Sequence, residues 1–338
     1  MVPFSIPSSV AELYGVRPEA FSFLAHVQNY VFGFRRNDGE FILRFTPEHH
    51  RSADQVNAEL HWLQHLASEH APVSRVVPSQ EGSLSHRITL ELEEHTSKKP
   101  CSTHCTAAAF SKAQGEIGQK RFWTTSTFHS WGNAAARLHC GAISYQPAQA
   151  AGRDHWTRDL PPTFYETADT LRAYELYLET AATLACLPRS NDNYNLIHAD
   201  LHFWNFAVSE SGNLTVFDFD NCEYNWLIAD LATALFEATT CAFQQLPRQE
   251  FIRKFVLDFL AGYDREYDKG FGIMLNSLPD FVKFREIQIF LILSRRWKNH
   301  DLGPFQLRFF AELKESVLSK KAFVEARTMD QILAGKRE

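Results

Sequence analysis

One stretch near the middle of the chain, residues 196–220, constrains the fold more than any other feature of the sequence. It runs LIHADLHFWNFAVSESGNLTVFDFD, in which two short apolar runs flank the turn SESGN and lead to a carboxylate. Apolar runs bounded by Gly, Asn and Ser clusters predict strands joined by a tight turn. The stretch therefore predicts a strand, a polar loop, a hairpin and a terminal aspartate.

Four polar residues in this stretch have the order and spacing of a phosphoryl-transfer site. They are His198, Asp200, Asn205 and Asp218. In kinase catalytic loops a His-x-Asp pair is followed by an Asn five residues after the Asp, and a metal-binding Asp opens a separate motif after a hairpin. Phosphoryl transfer needs a carboxylate to accept the hydroxyl proton and oxygen ligands to hold magnesium on the phosphates.

The neighbouring residues carry a family resemblance. With Leu201-His202 after the aspartate and Asp218-Phe219-Asp220 in place of Asp-Phe-Gly, the stretch resembles the aminoglycoside phosphotransferase and choline kinase superfamily rather than a eukaryotic protein kinase. The bacterial members grouped with type II homoserine kinases and stress-response kinases look most similar. The resemblance implies a bilobal α+β protein-kinase-like fold, with a five-stranded antiparallel sheet and a helix in the N-terminal lobe and a mainly helical C-terminal lobe.

The resemblance also implies a role for each motif residue. Asp200 is expected to be the general base, and Asn205 and Asp218 are expected to hold Mg²⁺ while ATP supplies its γ-phosphoryl group to a hydroxyl. In a loose transition state Asp200 needs only hydrogen-bond reach of that hydroxyl. Asp220 could contact a second magnesium through water or anchor the loop. Asp230 matches the aspartate that supports the catalytic loop from the following helix.

Two other interpretations of the stretch stay open. His198, Asp200 and His202 form H-x-D-x-H, whose alternate residues could share one face of a strand as ligands of a hydrolase metal. The polar residues could also be satisfied hydrogen-bonding groups of a core hairpin. Phosphoryl transfer is the favoured hypothesis, because one loop rarely gathers this set of side chains by chance.

The N-terminal part predicts the sheet. Residues 21–34 predict an aromatic-rich strand, and Asn37-Asp38-Gly39 predicts a hairpin turn into a second strand at 40–45. Three further segments complete the five expected strands: 73–77, 87–92 and 106–110. Ser52 and Gln55 form a capping-box pattern that begins a helix.

Three residues in this part are candidate nucleotide contacts under the resemblance. Asn29 lies in a connection without glycine, where kinases often have a Gly-rich loop, and would cap the nucleotide phosphates through its amide. Arg44 stands where the family has a lysine for the α- and β-phosphates, and Arg and Lys are not interchangeable at a tight site. Glu59 would orient Arg44 from the helix. The alternatives are an edge-strand surface arginine and a solvated helix glutamate.

A crossover is expected next, in the sequence SKAQG. Lys112 and Ala113 are the candidate backbone contacts to adenine, and the expected domains are 1–111, a hinge at 112–116, and 117–338. Helical patterns then dominate the second domain. They cover residues 127–139, 165–187, 228–245, 250–267, 279–297 and 305–319.

Composition limits the function classes. The 338-residue chain has a formal net charge of −6, which gives no support for a nucleic-acid partner. The longest strongly apolar run near a predicted helix, 287–293, is far shorter than the roughly 20 residues of a membrane-spanning helix. The N-terminal residues lack a signal-peptide pattern, and six scattered cysteines suit a reducing compartment. We therefore expect a cytoplasmic protein without a membrane partner.

The acceptor does not follow from the motif. The favoured substrate is the hydroxyl of a small molecule that is an amino alcohol, homoserine-like or aminoglycoside-like. A Ser/Thr protein kinase and a nucleotide-binding protein with little activity stay open. A small amino alcohol or aminoglycoside needs an enclosed acidic or aromatic pocket. Trp204, Tyr224 and Trp226 could line such a pocket or pack in the core.

Overall fold

The computed structural model describes residues 4–92, 101–147, 152–157, 166–298 and 300–336. These residues form two compact units. The first contains the described residues of Met1–Gly115, Ser144–Arg153 and Thr215–Asp220. The second contains those of Glu116–Ile143, Asp154–Leu214 and Asn221–Glu338. The domain limits expected from the sequence stay a prediction.

An antiparallel sheet dominates the first unit. Its strands are β1 (Ser22–His26), β2 (Tyr30–Arg36), β3 (Gly39–Pro47), β4 (Val76–Val77), β5 (Ser85–Leu92) and β6 (Cys101–Ser111). They follow the order β1-β2-β3-β6-β4, and β5 pairs with β6 as well. The expectation of five strands is wrong by one, because the aromatic segment 21–34 turns back on itself at 27–29 and pairs His26 with Tyr30.

The predicted hairpin and helix of this unit are confirmed. Arg36 pairs with Gly39 across the turn between β2 and β3. Because β3 also pairs with β6, it lies between β2 and β6 in the sheet. The two helices of the unit are α1 (Ser8–Leu13) and α2 (Ala53–Ser68). In the capping box of α2, Gln55 N donates to Ser52 Oγ at 3.2 Å and Ser52 N donates to Gln55 Oε1 at 3.0 Å. The apolar face of α2 is buried at Val56, Leu60, Leu63 and Leu66.

Helices dominate the second unit. They are α3 (Thr125–Ser144), α4 (Ala168–Ala185), α5 (Ile228–Thr240), α6 (Arg248–Glu266), α7 (Leu278–Arg296), α8 (Pro304–Leu318) and α9 (Ala326–Gly335). Six of them match predicted segments to within a few residues, whereas α9 was not predicted. The short strands of this unit are β7 (Tyr194–Ile197), β8 (Phe206–Val208) and β10 (Glu223–Trp226), whereas most of β9 (Leu214–Val216) belongs to the first unit. β7 pairs antiparallel with β10, which the sequence did not indicate.

Two glycines bring α3 and α6 into close contact. A Cβ added at Gly132 would lie 1.9 Å from the carbonyl oxygen of Phe259, and one added at Gly262 would lie 1.8 Å from that of His129. Both obstacles are backbone atoms, which cannot rotate away. Replacing either glycine must therefore push the helices apart.

We expect Gly132→Ala to lower the free energy of unfolding by about 1–3 kcal/mol, the usual cost of overpacking a core. Denaturant unfolding followed by circular dichroism would measure it. Ser126→Ala, at an exposed position of the same helix, is the matched control. A Gly132→Ala protein as stable as the control would show that the two helices have room to separate at no cost.

Within the residues that the structure describes, no helix is long and apolar enough to cross a lipid bilayer.

Candidate active site

A buried aspartate on α5 holds the loop that follows β7. The carboxylate of Asp230 accepts hydrogen bonds from the backbone N–H groups of His198 at 3.1 Å and Ala199 at 2.8 Å. It also lies 3.2 Å from Nε2 of His139 on α3. Ala199 has a left-handed φ of 62°, which a non-glycine residue rarely adopts. Asp230 thus stabilises a strained loop immediately before Asp200, as the resemblance implied.

Asp200 lies among hydrogen-bond donors in this loop. Arg285 Nη2 donates to Asp200 Oδ1 at 2.7 Å. The other oxygen, Oδ2, has longer contacts with Asn221 Nδ2 at 3.3 Å, Asn205 Nδ2 at 3.5 Å and His202 Nε2 at 3.5 Å. Asn205 Nδ2 also donates to the backbone carbonyl of Asp200 at 3.0 Å. The structure therefore brings together two of the predicted site residues, Asp200 and Asn205.

The electrostatics of the loop favour the ionised form of Asp200. Burial by itself would raise the pKa of this carboxyl, but His202, Arg285 and His198 together hold that pKa well below its usual range. Burial by itself would lower the pKa of the His202 imidazole, but the neighbouring Asp200 carboxylate raises it above the ordinary value. A carboxylate that stays ionised can accept a hydrogen bond from a hydroxyl and so orient it, which is the main requirement in a loose transition state.

Arg285 is a site residue that the sequence analysis missed. It lies on α7, and its Nη2 donates to two carboxylates. One is Asp200 Oδ1, and the other is Oε1 of Glu237 on α5, at 3.1 Å. Glu237 was not predicted either. Both are ordinary charged residues on amphipathic helices, and the contact with Asp200 spans 85 residues. No local sequence pattern indicates such a contact.

The donor set of the loop suits a hard divalent cation better than a hydrolase metal. The amide nitrogen of Asn205 faces Asp200, so its Oδ1 is the atom that can ligate, and amide and carboxylate oxygens are ligands that Mg²⁺ accepts. Nδ1 of His198 accepts the N–H of Asp200 at 3.3 Å. Among the described residues, no group of three or more His, Cys, Asp or Glu side chains is arranged to hold a metal ion. The H-x-D-x-H interpretation is not supported.

Asp218 belongs to the first unit and has an unusual backbone. Its φ of 64° is left-handed, like that of Ala199. Such strain in a non-glycine residue costs about 1–3 kcal/mol and is concentrated at functional sites. Two of the four non-glycine residues with positive φ in the described part of the chain thus lie in the predicted motif. The carboxylate of Asp218 also acts electrostatically on Arg44.

Asp220 anchors the segment after Asp218. His50 Nε2 lies 2.6 Å from Asp220 Oδ2, and the pKa of this carboxyl, which burial by itself would raise, is held well below its usual range by His50, Arg44 and Arg51. Arg51 and Arg153 both donate to the backbone carbonyl of Asp220. Of the two roles open to Asp220, anchoring the loop is the one that these contacts favour.

Arg44 and Glu59 form a buried ion pair. The two guanidinium nitrogens of Arg44 donate to the two carboxylate oxygens of Glu59 at 2.8 and 2.7 Å. The Arg44 side chain is 6% exposed and that of Glu59 is fully buried. Burial opposes the charge of Arg44, but Glu59, Asp220 and Asp218 raise its pKa above the ordinary value. The alternatives of an edge-strand surface arginine and a solvated helix glutamate are therefore wrong.

The remaining nucleotide candidates lie in the first unit. Asn29 is buried, and its Oδ1 has no hydrogen-bond partner among the described residues. The backbone N–H of Lys112 donates to the carbonyl of Glu40 at 3.0 Å, and its Nζ pairs with the Glu40 carboxylate at 3.0 Å. Lys112 thus extends the pairing of β6 with β3.

The predicted aromatic residues divide between core and surface. Trp226 is fully buried, whereas Trp204, within the loop that follows β7, is 50% exposed. The indole of Trp204 packs on Gly118, where an added Cβ would lie 1.7 Å from the ring. Tyr224 stacks on His155 with ring centroids 5.1 Å apart. Trp204 alone of these three presents a large aromatic surface beside the loop.

Comparisons with known proteins agree on one family. The model of the phosphotransferase enzyme family matches residues 21–270. Amicoumacin kinase of Bacillus subtilis (strain 168) is 27% identical over 318 residues, which cover 92% of this chain and 90% of that protein. A solved amicoumacin kinase in complex with AMP-PNP, Ca²⁺ and Ami superimposes with a TM-score of 0.83 at 25% identity, covering 94% of this chain and 93% of that one.

A further solved structure supports the same fold. The microcompartment-associated aminopropanol kinase superimposes with a TM-score of 0.69 at 20% identity, covering 93% of this chain and 98% of that one. The α+β protein-kinase-like fold expected from the sequence is confirmed by these superpositions.

Proposed function

Because the chain belongs to the phosphotransferase enzyme family and is thus a kinase with an alcohol acceptor, we propose that it moves the γ-phosphoryl group of ATP to a hydroxyl of a small molecule. The observation that carries the proposal is the environment of Asp200. This carboxylate is kept ionised, is fixed by Arg285, and follows a strained loop that Asp230 holds. A hydroxyl within hydrogen-bond reach of Asp200 would be oriented for attack on the phosphoryl group.

We assign the divalent ion of the reaction as Mg²⁺, held by Asn205 and Asp218. Bound there, it would neutralise the charge that develops on the nucleotide phosphates during transfer. Asn205 contributes a neutral oxygen and Asp218 a charged one, and the hydrogen bond from Asn205 to the carbonyl of Asp200 ties this ligand to the loop that carries the base. The complex of the related amicoumacin kinase with AMP-PNP and Ca²⁺ supports a nucleotide and a divalent cation.

Arg44 and Glu59 are proposed to anchor the nucleotide phosphates. The bidentate pair fixes the guanidinium plane, and its Nε has no hydrogen-bond partner among the described residues. Asn29, with its unpartnered Oδ1, and the backbone of Ala113 are proposed as further nucleotide contacts. Arg44 would then replace the lysine of the family with a planar, permanently charged group.

We expect Arg44→Gln and Glu59→Gln each to raise the KM for ATP roughly tenfold or more, in line with about 1.5–3 kcal/mol for a hydrogen bond to a charged group. The double variant should do little further harm, because contacting residues couple. Arg44→Lys should retain part of the activity. Initial rates against ATP concentration, with thermal unfolding in parallel, would check this. If both single variants kept the parent KM, the phosphates would have to be anchored elsewhere.

The proposed acceptor is a small molecule that carries a hydroxyl and an amine, such as amicoumacin or an amino alcohol. The relative at 27% identity over nearly the whole chain is an amicoumacin kinase, and a structural neighbour is an aminopropanol kinase. Trp204, exposed beside the catalytic loop, offers an aromatic face for such an acceptor.

A coupled assay of ATP consumption would test the proposal. The acceptors would be amicoumacin, 1-amino-2-propanol, homoserine, choline, an aminoglycoside and a generic protein, each with and without Mg²⁺. We expect magnesium-dependent turnover with at least one small molecule and none with the protein. Turnover with the protein alone would favour the protein-kinase alternative, and none with any acceptor would favour a nucleotide-binding protein.

A further inference from the structure

Arg285 connects the catalytic loop to two helices of the second unit. A single nitrogen, Nη2, contacts Asp200 in the loop and Glu237 on α5, while the residue itself belongs to α7. The side chain is 15% exposed, so the ion pairs are largely shielded from water. Buried charge-assisted hydrogen bonds are short and hold a fixed geometry better than surface pairs do.

The two carboxylate oxygens of Asp200 are held unequally. Oδ1 has a charge-assisted contact at 2.7 Å with Arg285, whereas the contacts of Oδ2 with amide and imidazole nitrogens are 3.3–3.5 Å long. Hydrogen bonds of that length are weak. An incoming hydroxyl can therefore replace one of the longer contacts at Oδ2 more readily than it can displace Arg285 from Oδ1, which would leave a buried cation with one partner fewer.

We propose that Arg285, itself held by Glu237, is a positioning residue that clamps Oδ1 of Asp200 and so presents Oδ2 to the hydroxyl of the acceptor. This inference rests on the proposed phosphoryl transfer to a small molecule. Arg285 does not touch the reacting atoms in this scheme. It acts by fixing the rotation of the Asp200 carboxylate about its Cβ–Cγ bond, which otherwise exchanges the two oxygens.

Glu237 completes the clamp. Its carboxylate lies 3.1 Å from the same Nη2 that contacts Asp200. Without Glu237 the guanidinium keeps its contact with Asp200 but loses the partner that fixes it from α5. The clamp should therefore weaken less on loss of Glu237 than on loss of Arg285. Because one nitrogen makes both contacts, a lysine ammonium at this position can reproduce part of the interaction.

The test uses the full chain and the acceptor on which the parent protein shows turnover. Arg285→Gln should lower kcat by about tenfold to a hundredfold, the scale of a small misplacement of a catalytic group, and leave the KM for ATP unchanged. Arg285→Lys should recover part of kcat, and Glu237→Gln should lower kcat less than Arg285→Gln does. Arg296→Gln, an exposed arginine on the same helix, is the control and should match the parent.

A second measurement separates positioning from general support of the fold. In an Asp200→Asn background, Arg285→Gln should cause no further loss of kcat, since residues that act as a unit are not additive. A further loss there, or a kcat of Arg285→Gln equal to that of Arg296→Gln, would overturn the inference while the proposed function stands. If the parent transfers phosphate to no small molecule, the proposed function fails, and the inference fails with it. Should Arg285→Gln not fold, Arg285→Lys and Glu237→Gln give the same comparison.

Discussion

Asp200→Asn is expected to lower kcat by at least about a hundredfold, the lower end of general-base contributions, with little change in nucleotide affinity. The amide has the shape of the carboxylate but cannot accept the hydroxyl proton. The substitution also weakens the contact with Arg285, which in the parent protein donates to Asp200 Oδ1 at 2.7 Å. Turnover and calorimetric titration with a non-hydrolysable ATP analogue would measure the two effects separately.

Asp330→Asn is the matched control for this experiment, since Asp330 lies exposed on α9. The control should keep both the turnover and the nucleotide affinity of the parent. Unchanged turnover of the Asp200 variant would remove this residue from the role of base. A parallel loss of nucleotide binding would instead indicate that the substitution disrupts the loop as a whole.

Asp218→Asn is expected to abolish magnesium-dependent nucleotide binding, with a loss of affinity of at least about a hundredfold. Changing an outer partner of a metal ligand costs about 10–100-fold, and loss of the negative charge from the ligand itself should cost no less. Asp218 is the only charged ligand in the proposed pair, so Asn205→Ala should weaken binding less. Asparagine is the informative substitution here, because it tolerates the left-handed φ of 64° better than alanine does.

The experiment compares titrations with the ATP analogue in the presence of Mg²⁺ and of excess chelator. Glu81→Ala, an exposed acidic residue of the first unit, serves as the control and should keep the magnesium dependence. An Asp218→Asn protein that binds the magnesium complex as tightly as the parent would contradict the metal assignment and leave the segment with a structural role.

The predictable part of the site is encoded locally. The spacing of His198, Asp200 and Asn205 lies within one loop, and the structure brings Asp200 and Asn205 into hydrogen-bond contact. The ion pair of Arg44 with Glu59 could be predicted only through the family resemblance, which implies a glutamate on the helix that orients the strand-borne cation. The burial of Arg44 could not be predicted in this way, because it depends on β3 lying between the strands β2 and β6.

The remainder of the site depends on contacts that no local pattern encodes. Arg285 and Glu237 reach Asp200 from helices far along the chain, and His50 and Arg51 reach Asp220 from 170 and 169 residues away. The extra strand of the sheet was missed for a different reason. Residues 21–34 are rich in aromatic residues on both sides of the turn at 27–29. Because the turn contains neither Gly nor Pro, no residue in the segment signals a break between two strands.

Direct detection of the phosphorylated acceptor is the measurement that tests the central claim. The parent protein would be incubated with ATP labelled at the γ-phosphoryl group, Mg²⁺ and the acceptor that supports turnover, and the products would be analysed by mass spectrometry. We predict that the label appears on the acceptor hydroxyl with the parent protein and is strongly reduced with Asp200→Asn at equal nucleotide occupancy. Label found only in inorganic phosphate, or equal transfer by both proteins, would contradict the claim that this chain phosphorylates a small molecule through Asp200.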